Sequence, residues 1–363
     1  MALSKIPNAG ISNAVNFRNL IINGDMSISQ RGTSFSVSDN IYTLDRFLTE
    51  FSGFGAFTLT QSTDSPDGFG HSLKLDCTTA DASPASGDVF QLFHRIEGQN
   101  LQYLKKGTSS ALSTTVSFFV KSNKTGNMQV NLRDAPNNRI IGGVYTINTA
   151  NTWEKKTLTF AGDTSGTIDN DNTEGLSLEF PIGSGSDNSS GSVPTTWKTK
   201  VNADRNAGST INLADSTSNE WYITGVQLEA GSVASDFEFL PVDCNLQRCL
   251  RYYEGGDANA NAINIYGATN RLCEVILGST ARLKIIGNQY LAVKRATPTI
   301  TLYGGSGLTT ANRVSVYNNG ADTETVSSVS TSTANSIGFY IQLSTTASAS
   351  TTYRFYYEAN AEL

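Results

Sequence analysis

The sequence predicts an all-β fold: an extended N-terminal arm, a jelly-roll β-sandwich, a short helix and a second, smaller β-sandwich. Many short segments alternate apolar and polar residues, which is the period of a strand with one buried face. Charged residues make up only 16% of the chain, while Ser, Thr, Asn and Gly are abundant, and this composition favours strands joined by short turns. A length of 363 residues is enough for two or three domains.

Charge and hydropathy exclude two classes of partner. The 26 basic and 32 acidic residues give a net charge of -6, and no basic cluster could follow a phosphate backbone, so we expect no nucleic-acid partner. No run approaches about 18 apolar residues, so we expect no membrane insertion. The first 20 residues lack the basic start and apolar core of a signal peptide, which predicts synthesis in a cytoplasm.

Residues 1–16 are the predicted N-terminal arm. The segment contains small residues, one proline and too few large apolar groups to build a core by itself. Because such a composition cannot offset the entropy lost on ordering, we expect the arm by itself to be disordered.

Residues 17–241 are predicted to form the jelly roll. The domain opens with an apolar strand at 20–22, followed by turn residues at 23–25. Alternation then predicts strands at 115–121 and 127–133, and the turn-forming residues between them favour a hairpin.

The second half of this domain is predicted to contain three more strands and an insertion. Residues 153–160 alternate, and we expect them to lie beside 176–180, whose apolar side chains share a face. The Gly- and Ser-rich run 183–196 has the composition of a flexible inserted loop. The strand at 221–229 closes the sandwich, with Gly225 as a bulge. Strict alternation divides its large side chains between two faces: Trp221 and Ile223 on one, and Tyr222, Val226 and Leu228 on the other.

Residues 242–256 are predicted to be a linker helix between the two sandwiches. Apolar residues from 246 to 253 recur at helical spacing, Asp243 or Asn245 could cap the start, and the glycines at 255–256 would end it.

The remaining residues, 257–363, are predicted to form the second sandwich. Alternation and turn signals indicate strands in the following order: 263–265, 273–277, 283–286, 298–303, 313–317, 338–343 and 353–357, with a turn at 318–320.

The sequence gives little support for catalysis or for metal binding by side chains. The four cysteines lack paired CxxC spacing and only His71 and His94 are available, so we expect free thiols and no zinc site. Alternation places His94 in a strand and His71 in a loop, and neither is predicted to be a general base. Hydrolysis of a glycan would need two carboxylates across a cleft. The spacing selects no pair from the acids on strands and turns: Asp76, Asp88, Glu97, Asp134 and Glu179.

Five segments, spread over nearly the whole chain, carry a resemblance to a known family. They are 17–47 (beginning FRNLIINGD), 153–160 (WEKKTLTF), 221–229 (WYITGVQLE), 246–253 (LQRCLRYY) and 357–363 (YEANAEL). Together they resemble the tail fibre and related virion fibre proteins of tailed bacteriophages, with a jelly roll similar to carbohydrate-binding modules. The resemblance implies a structural virion protein, assembled in the host cytoplasm as a homo-oligomer, commonly a trimer. It also implies that the arm docks on another virion protein and that the chain binds host surface glycans.

A sugar site needs an aromatic ring against the apolar face of a pyranose, flanked by polar side chains for the hydroxyls. Residues of predicted loops are the candidates: Trp197, Arg205, Phe69, His71, Arg139 and Asn137. Trp153 and Trp221 lie on predicted strands and are assigned to the core. By resemblance, a structural calcium would lie where the first and last strands of the jelly roll meet, near Asn23, Asp25 and Glu229; we expect no other cofactor.

The sequence therefore favours a phage tail fibre, or a similar appendage, that recognises host surface glycans and is not an enzyme. Two alternatives stay open. One is a head-attached fibre, decoration or structural spacer without receptor binding. The other is a glycan depolymerase.

Overall fold

The regular structure of the chain is almost entirely β. The computed structural model describes residues 17–255, 273–276, 285–304, 310–311, 314–318, 321–326, 329–343 and 352–363. Within these ranges the strands form antiparallel sheets, which confirms the predicted all-β class. The predicted arm, residues 1–16, lies outside them, and the predicted domain boundaries stay predictions. No helix in the described ranges is long and apolar enough to cross a membrane.

Two sheets form the first sandwich. The six-stranded sheet contains, in spatial order, β1 (Ser34–Ser36), β4 (Ala56–Ser62), β5 (Ser72–Thr79), β13 (Glu220–Ala230), β7 (Thr114–Ser122) and β10 (Glu154–Phe160). The seven-stranded sheet contains β12 (Lys198–Thr199), β9 (Arg139–Ile147), β8 (Gly126–Asp134), β11 (Glu174–Ser184), β6 (Val89–Glu97), β3 (Phe47–Ser52) and β2 (Ile41–Tyr42).

The core lies between the inner faces of these sheets. Phe118 of β7 reaches across it, with its ring 5.0 Å from that of Tyr145 and 5.2 Å from that of Phe180. Trp221 is fully buried beside them. Burial of one large apolar side chain contributes about 1.5–3 kcal/mol to the free energy of folding. This cluster is therefore the main stabilising feature of the sandwich.

The strands predicted at 115–121 and 127–133 are present, but the hairpin between them was wrong. β7 and β8 lie in opposite sheets, so the chain crosses the edge of the sandwich between them. Both strands turn their apolar residues towards one core from opposite sides, and alternation alone does not distinguish this arrangement from a hairpin. The predicted contact of 153–160 with 176–180 was also wrong, since β10 pairs with β7 while β11 pairs with β6 and β8.

The opening apolar segment, 20–22, is a buried turn and not the predicted strand, while the turn predicted at 23–25 is present. Leu20 N–H donates to a main-chain oxygen of β13 at 2.9 Å, and Val226 N–H donates to the Gly24 oxygen at 2.9 Å. A Cβ on Gly24 would lie 2.1 Å from the Val226 oxygen, so only glycine permits this approach. The opening segment therefore lies beside the closing strand as irregular backbone.

β13 carries the predicted bulge at Gly225, where the register of its pairing with β7 shifts. Gly225 has a φ of +61°, a conformation that favours glycine. The extra residue reverses the alternation beyond it, so Val226 and Leu228 join Trp221 in the core and do not share the outer face with Tyr222. The strict alternation assumed from the sequence was therefore wrong past the bulge.

The Gly- and Ser-rich run 183–196 is an anchored insertion. Its first two residues end β11, and the single-turn helix α1 (Ser186–Ser189) follows. Gly185 N–H donates to the Asp88 oxygen at 2.8 Å, and Gly142 N–H donates to the Pro194 oxygen at 2.7 Å. These hydrogen bonds hold the insertion against the seven-stranded sheet.

The helix α2 (Val242–Leu250) confirms the predicted short helix, although it ends well before residue 256. Its role as a linker between domains stays a prediction. Pro241 is its N-cap and no side chain caps it, so the predicted caps Asp243 and Asn245 were wrong. The next residues form β14 (Tyr253–Glu254), which pairs with a C-terminal strand. That pairing takes the chain off the helical path before the glycines are reached.

The described ranges after residue 255 contain nine further strands, and six of the seven strands predicted here are confirmed. They are β15 (Cys273–Ile276), β16 (Ile285–Gln289), β17 (Thr299–Gly304), β18 (Thr310–Ala311), β19 (Val314–Asn318), β20 (Ala321–Val326), β21 (Val329–Ala334), β22 (Gly338–Leu343) and β23 (Thr352–Asn360). One sheet has the order β18-β17-β23-β19-β20, with β14 and β15 also pairing with β23, and another has the order β16-β22-β21. The strand predicted at 263–265 and most of the turn at 318–320 lie outside the described residues.

Arginines of the first sandwich hold the last residues of the chain, in a contact we call the arginine clamp (Arg31, Arg46 and Arg95 with Glu362 and Leu363). The Arg46 guanidinium is fully buried and pairs with the Glu362 carboxylate, and Arg31 Nη2 lies 3.1 Å from Glu362 Oε1. Arg95 donates to the main-chain oxygen of Leu363. The C-terminal segment is thereby fixed to the N-terminal sandwich.

Candidate functional site

The outer face of the six-stranded sheet carries the main group of aromatic side chains at the surface. We call it the aromatic face (Phe69, Phe119, Trp153, Phe237 and Phe239). Each of these rings is partly or largely open to solvent. The strand period explains the placement of two of them, because residues that alternate with the buried ones must point outward.

One end of the aromatic face combines rings with paired charges. Trp153 Nε1 donates to Asp64 Oδ1 at 3.1 Å, and the Trp153 and Tyr222 rings lie 6.0 Å apart, edge to face. Tyr222 is buried beneath Lys121, whose ammonium nitrogen lies 4.2 Å from its ring centroid. Lys121 also pairs with Asp64. The indole is therefore held in one orientation by both a hydrogen bond and a neighbouring ring.

The middle of the aromatic face is a cluster of four phenylalanines. The Phe69 ring lies 5.4 Å from Phe119, 5.2 Å from Phe237 and 5.0 Å from Phe239. Phe239 is the most accessible, with 55% of its surface exposed. A Cβ on Gly225 would lie 2.8 Å from the Phe69 ring, so the bulge glycine lets this cluster sit directly on the sheet. An exposed aromatic group of this kind is typical of an interaction site.

Two lysines of the aromatic face, Lys74 and Lys121, are matched by carboxylates. Lys74 Nζ lies 2.7 Å from Asp76 Oδ1 and 2.9 Å from Glu220 Oε1. Burial opposes ionisation of Asp64, but hydrogen bonds from Lys121 and from Trp153 outweigh it and lower the pKa of this carboxyl. The group remains ionised at neutral pH, so the face presents fixed acceptors and donors and no surplus positive charge.

The structure brings two of the predicted sugar-binding residues to this face. Phe69 belongs to the phenylalanine cluster, and His71 is adjacent, with its main-chain oxygen accepting a hydrogen bond from Thr224 Oγ1 at 2.8 Å. Their binding role stays a prediction.

Three other predicted residues come together elsewhere, around the buried Lys106. Arg139 forms two hydrogen bonds to the Asp163 carboxylate, at 2.6 and 2.8 Å. Asn137 Nδ2 donates to the Thr167 main-chain oxygen at 2.8 Å. The Trp197 ring centroid lies 5.1 Å from Lys106 Nζ, and its Nε1 donates to a main-chain oxygen at 2.7 Å. The indole nitrogen, two guanidinium nitrogens and the amide nitrogen of these residues bond to the protein, so this group helps to hold the end of the seven-stranded sheet.

The sixth predicted residue, Arg205, is buried and is not an exposed loop residue. It covers the outer face of the seven-stranded sheet, where Nη2 donates to Glu50 Oε2 and to Gln91 Oε1, both at 2.7 Å. Glu179 lies beneath it with a fully buried side chain, 3.7 Å from Arg205 Nε. Burial raises the pKa of Glu179, although the charges of Arg205 and of Arg133 oppose the shift.

The residues expected near a calcium ion have protein partners. Asn23 Nδ2 donates to the main-chain oxygens of Ile28 and Asp45 at 2.8 and 3.0 Å, and Asp25 accepts from Asn245 at 3.1 Å. Both oxygens of Glu229 accept hydrogen bonds from residue 235. In the described part of the chain, no three His, Cys, Asp or Glu side chains gather into a metal-binding group. Calcium binding stays a prediction.

The structure also defines the state of the described thiols and the partners of the acids considered for hydrolysis. Free cysteines are present as predicted at Cys77, Cys244 and Cys249. The five acids contact separate partners or are inaccessible: Asp76 pairs with Lys74, Asp88 accepts from Ala85, Glu97 pairs with Arg251, Asp134 pairs with Lys106, and Glu179 is buried. These five acids therefore offer no pair facing an open cleft.

Sequence reasoning missed most of the aromatic face. Trp221 is in the core as predicted, but the assignment of Trp153 to the core was wrong, since its ring lies half-buried on the outer face. The signal was present: Trp153 alternates with Lys155, Thr157 and Thr159, a polar row. Phe237 and Phe239 follow the closing strand, and no strand period points to them.

Comparison with known proteins gave no match to any family model. No curated protein matched the chain either. Among solved structures, one similar chain is the enzymatically active domain of tailspike protein 4 of bacteriophage CBA120, at 14% identity and a TM-score of 0.32 over 59% of this chain and 21% of that one.

Two further similar structures are carbohydrate-binding modules. The family 11 module from Clostridium thermocellum, in complex with a beta-1,3-1,4-mixed-linked tetrasaccharide, has 11% identity and a TM-score of 0.28 over 56% of this chain and 99% of that one. The CBM22-2 xylan-binding domain of Xyn10C from Paenibacillus barcinonensis has 15% identity and a TM-score of 0.28 over 58% and 97%.

Proposed function

We propose that the chain is a non-catalytic glycan-recognition protein and that the aromatic face is its binding surface. One observation carries the proposal: partly exposed rings gather over a single sheet face, beside ion-paired lysines and carboxylates. The apolar face of a pyranose stacks on such rings, and the fixed polar groups beside them can bind its hydroxyls. The proposal does not require movement of the backbone, because the rings already contact one another and pack on the outer face of the sheet.

The wider role we propose is that of a phage tail fibre or similar virion appendage. The resemblance of residues 17–47 and of the four other segments to virion fibre proteins supports it. Each aromatic face would contribute few contacts and a weak affinity. A homotrimer docked on the particle through residues 1–16 would present three faces to one cell surface, and linkage of the three sites would raise the avidity.

The test uses purified, fluorescently labelled protein on candidate host cells, with and without enzymatic removal of surface glycans. We expect binding that glycan removal abolishes and that Trp153→Ala together with Phe239→Ala reduces at least tenfold. Val144→Ala is the matched control, because it removes an exposed apolar side chain from the other sheet. Equal binding by both variants would contradict the placement of the site.

The same experiment distinguishes the alternatives. Assembled protein that binds no cell in a panel containing the host would favour a head-attached fibre or a structural spacer. Release of reducing ends from host polysaccharide by the wild-type protein would favour a depolymerase and contradict the non-catalytic proposal.

A further inference from the structure

A cavity of about 250 Å³ opens at the far end of the aromatic face, beyond the phenylalanine cluster. We call it the terminal cavity (Arg18, Tyr103, Leu112, Glu229 and Ser232). It continues the aromatic face along the same strand, because Glu229 and Tyr222 both belong to β13 and point away from the core. Seven residues of extended chain, with one bulge, place the cavity roughly 20 Å from the Trp153 end.

The walls of the terminal cavity are chemically divided. Tyr103 and Leu112 form an aromatic and aliphatic side, with 37% and 40% of their surfaces exposed. Arg18 and Glu229 form the polar side, and Glu238 lies behind them, 3.8 Å from Arg18 Nη1. One open ring surface and charged groups that line the same cavity are what a pyranose needs, since its ring hydrogens are apolar and its hydroxyls are polar.

The polar side is preorganised. Arg18 Nε donates to Ser235 Oγ at 2.8 Å, and Nη2 donates to the Asp236 main-chain oxygen at 2.6 Å. Glu229 accepts from Ser235 N–H at 2.8 Å and from Gln227 Nε2 at 2.9 Å. Because these side chains are already ordered, a ligand would lose little affinity to their immobilisation.

Size and charge restrict the occupant. Sites for drug-sized ligands measure about 300 to 1,000 Å³, so a cavity of about 250 Å³ suits one sugar ring and not two. One guanidinium, on Arg18, stands against two carboxylates, on Glu229 and Glu238, so the local charge is negative. Burial and the charges of these two carboxylates raise the pKa of Tyr103 to about 12. A ligand carboxylate would be repelled by the same charges.

We propose that the terminal cavity binds one uncharged pyranose at the end of a glycan chain, while the following residues lie along the aromatic face. The proposal rests on the proposed function, and it adds that the protein recognises chain ends and not only internal repeats. Uronic and sialic acids are excluded as the terminal residue.

The test is saturation-transfer NMR with single sugars: the methyl glycosides of glucose, galactose, mannose, N-acetylglucosamine, glucuronic acid and N-acetylneuraminic acid. We expect at least one neutral glycoside to bind, with a dissociation constant in the millimolar range, and neither acidic one. Ser232→Trp should abolish this binding by filling the cavity. Val233→Trp is the matched control, because the neighbouring side chain is 79% exposed and does not line the cavity. Leu112→Trp provides a second cavity-filling variant if Ser232→Trp unfolds.

Several results would overturn the proposal. If a neutral glycoside still binds to both cavity-filling variants, the sugar binds elsewhere. If only the acidic glycosides bind, the argument that the cavity repels a ligand carboxylate is wrong. Loss of single-sugar binding in Phe239→Ala, with retention in Ser232→Trp, would assign it to the aromatic face. Host polysaccharide that binds while no single sugar does would reject the terminal cavity and leave the proposed function intact. If neither the host polysaccharide nor any single sugar binds, both the terminal cavity and the proposed function are rejected.

Discussion

At the scale of single residues, His94 shows how a titratable group can serve packing. The ring is buried to 1% exposure in β6, and Nε2 lies 3.1 Å from both the main-chain N and the main-chain O of Ile22. The Phe47 ring packs against it edge to face at 5.4 Å. Burial, assisted by the charge of Arg46, lowers the pKa of His94 well below 6.5. The folded protein therefore holds the ring neutral.

This predicts a loss of stability in mild acid. Above pH 6.5 the ring is neutral in both the folded and the unfolded state, so its contribution to folding is fully present. Below pH 6.5 the unfolded chain binds a proton at this ring, whereas the folded chain does not. We expect the free energy of unfolding to fall by up to about 1.4 kcal/mol per pH unit from this residue. Urea unfolding of the wild type and of His94→Gln at pH 7.5 and 5.5 measures it. Parallel curves for the two proteins would contradict the prediction.

Single residues also show what the sequence could and could not predict about the site. Phe69 and His71 were predictable because Gly-rich flanks place them in a loop. Arg205 was not, because burial of a loop arginine depends on Glu50 and Glu179, which are distant in sequence. The position of Trp153 depends on which face of its strand is covered, and the partner sheet determines that face.

At the scale of elements, the bulge in β13 determines two surfaces. One extra residue turns Val226 into the core, and the absence of a side chain at Gly225 leaves room for Phe69 and Phe119 above the sheet. Most of the strands that alternation predicted are present, but strands such as β3, β4 and β5 were not predicted. Alternation could not give partners: β7 and β8 each match a hairpin and a crossing between sheets equally well, because register and pairing depend on contacts far along the chain.

We predict that Gly225→Ala destabilises the protein more than Gly68→Ala. Both glycines have positive φ, so both substitutions cost backbone strain of about 1 kcal/mol. At Gly68 the new methyl group meets nothing within 4 Å, whereas at Gly225 it would lie 2.8 Å from the Phe69 ring and 3.0 Å from the Phe119 ring. The further cost is about 1–3 kcal/mol. Chemical unfolding of the two variants measures the difference, and equal losses would show that the rings move aside freely.

At the scale of the whole molecule, the arginine clamp joins the two ends of the described structure. Arg46 has no exposed side-chain surface, and the nearby Glu362 carboxylate outweighs burial and raises the pKa of Arg46. The sequence resemblance pointed to residues 357–363 as part of the fold, but nothing in the pattern revealed that they dock on Arg31 and Arg95. The reason is physical, since these contacts join residues 268 and 331 positions apart.

We predict that Glu362→Gln lowers the free energy of unfolding by about 3–5 kcal/mol, because it leaves a buried guanidinium without its counter-charge. Asp67→Asn is the matched control, since it removes an exposed carboxylate and should change stability by less than about 0.5 kcal/mol. Thermal unfolding at neutral pH measures both. A loss as small as that of the control would show that water reaches Arg46.

The assembly state is the remaining prediction at this scale. We expect three times the chain mass by light scattering at micromolar concentration, and cell binding at least tenfold weaker for any variant that stays monomeric. Wild-type protein that stays monomeric at high concentration would contradict the proposed appendage.

The arginine clamp also imposes an order in time. Arg46 and Glu362 are separated by 316 positions, so a ribosome moving at about 5–20 residues per second needs on the order of 16–63 s to supply the second after the first. Throughout that interval the guanidinium has no counter-charge, and it must stay in water. We therefore expect the edge of the sandwich beside β3 to close last, and a chain cut short before Glu362 to keep an open edge that proteases can reach.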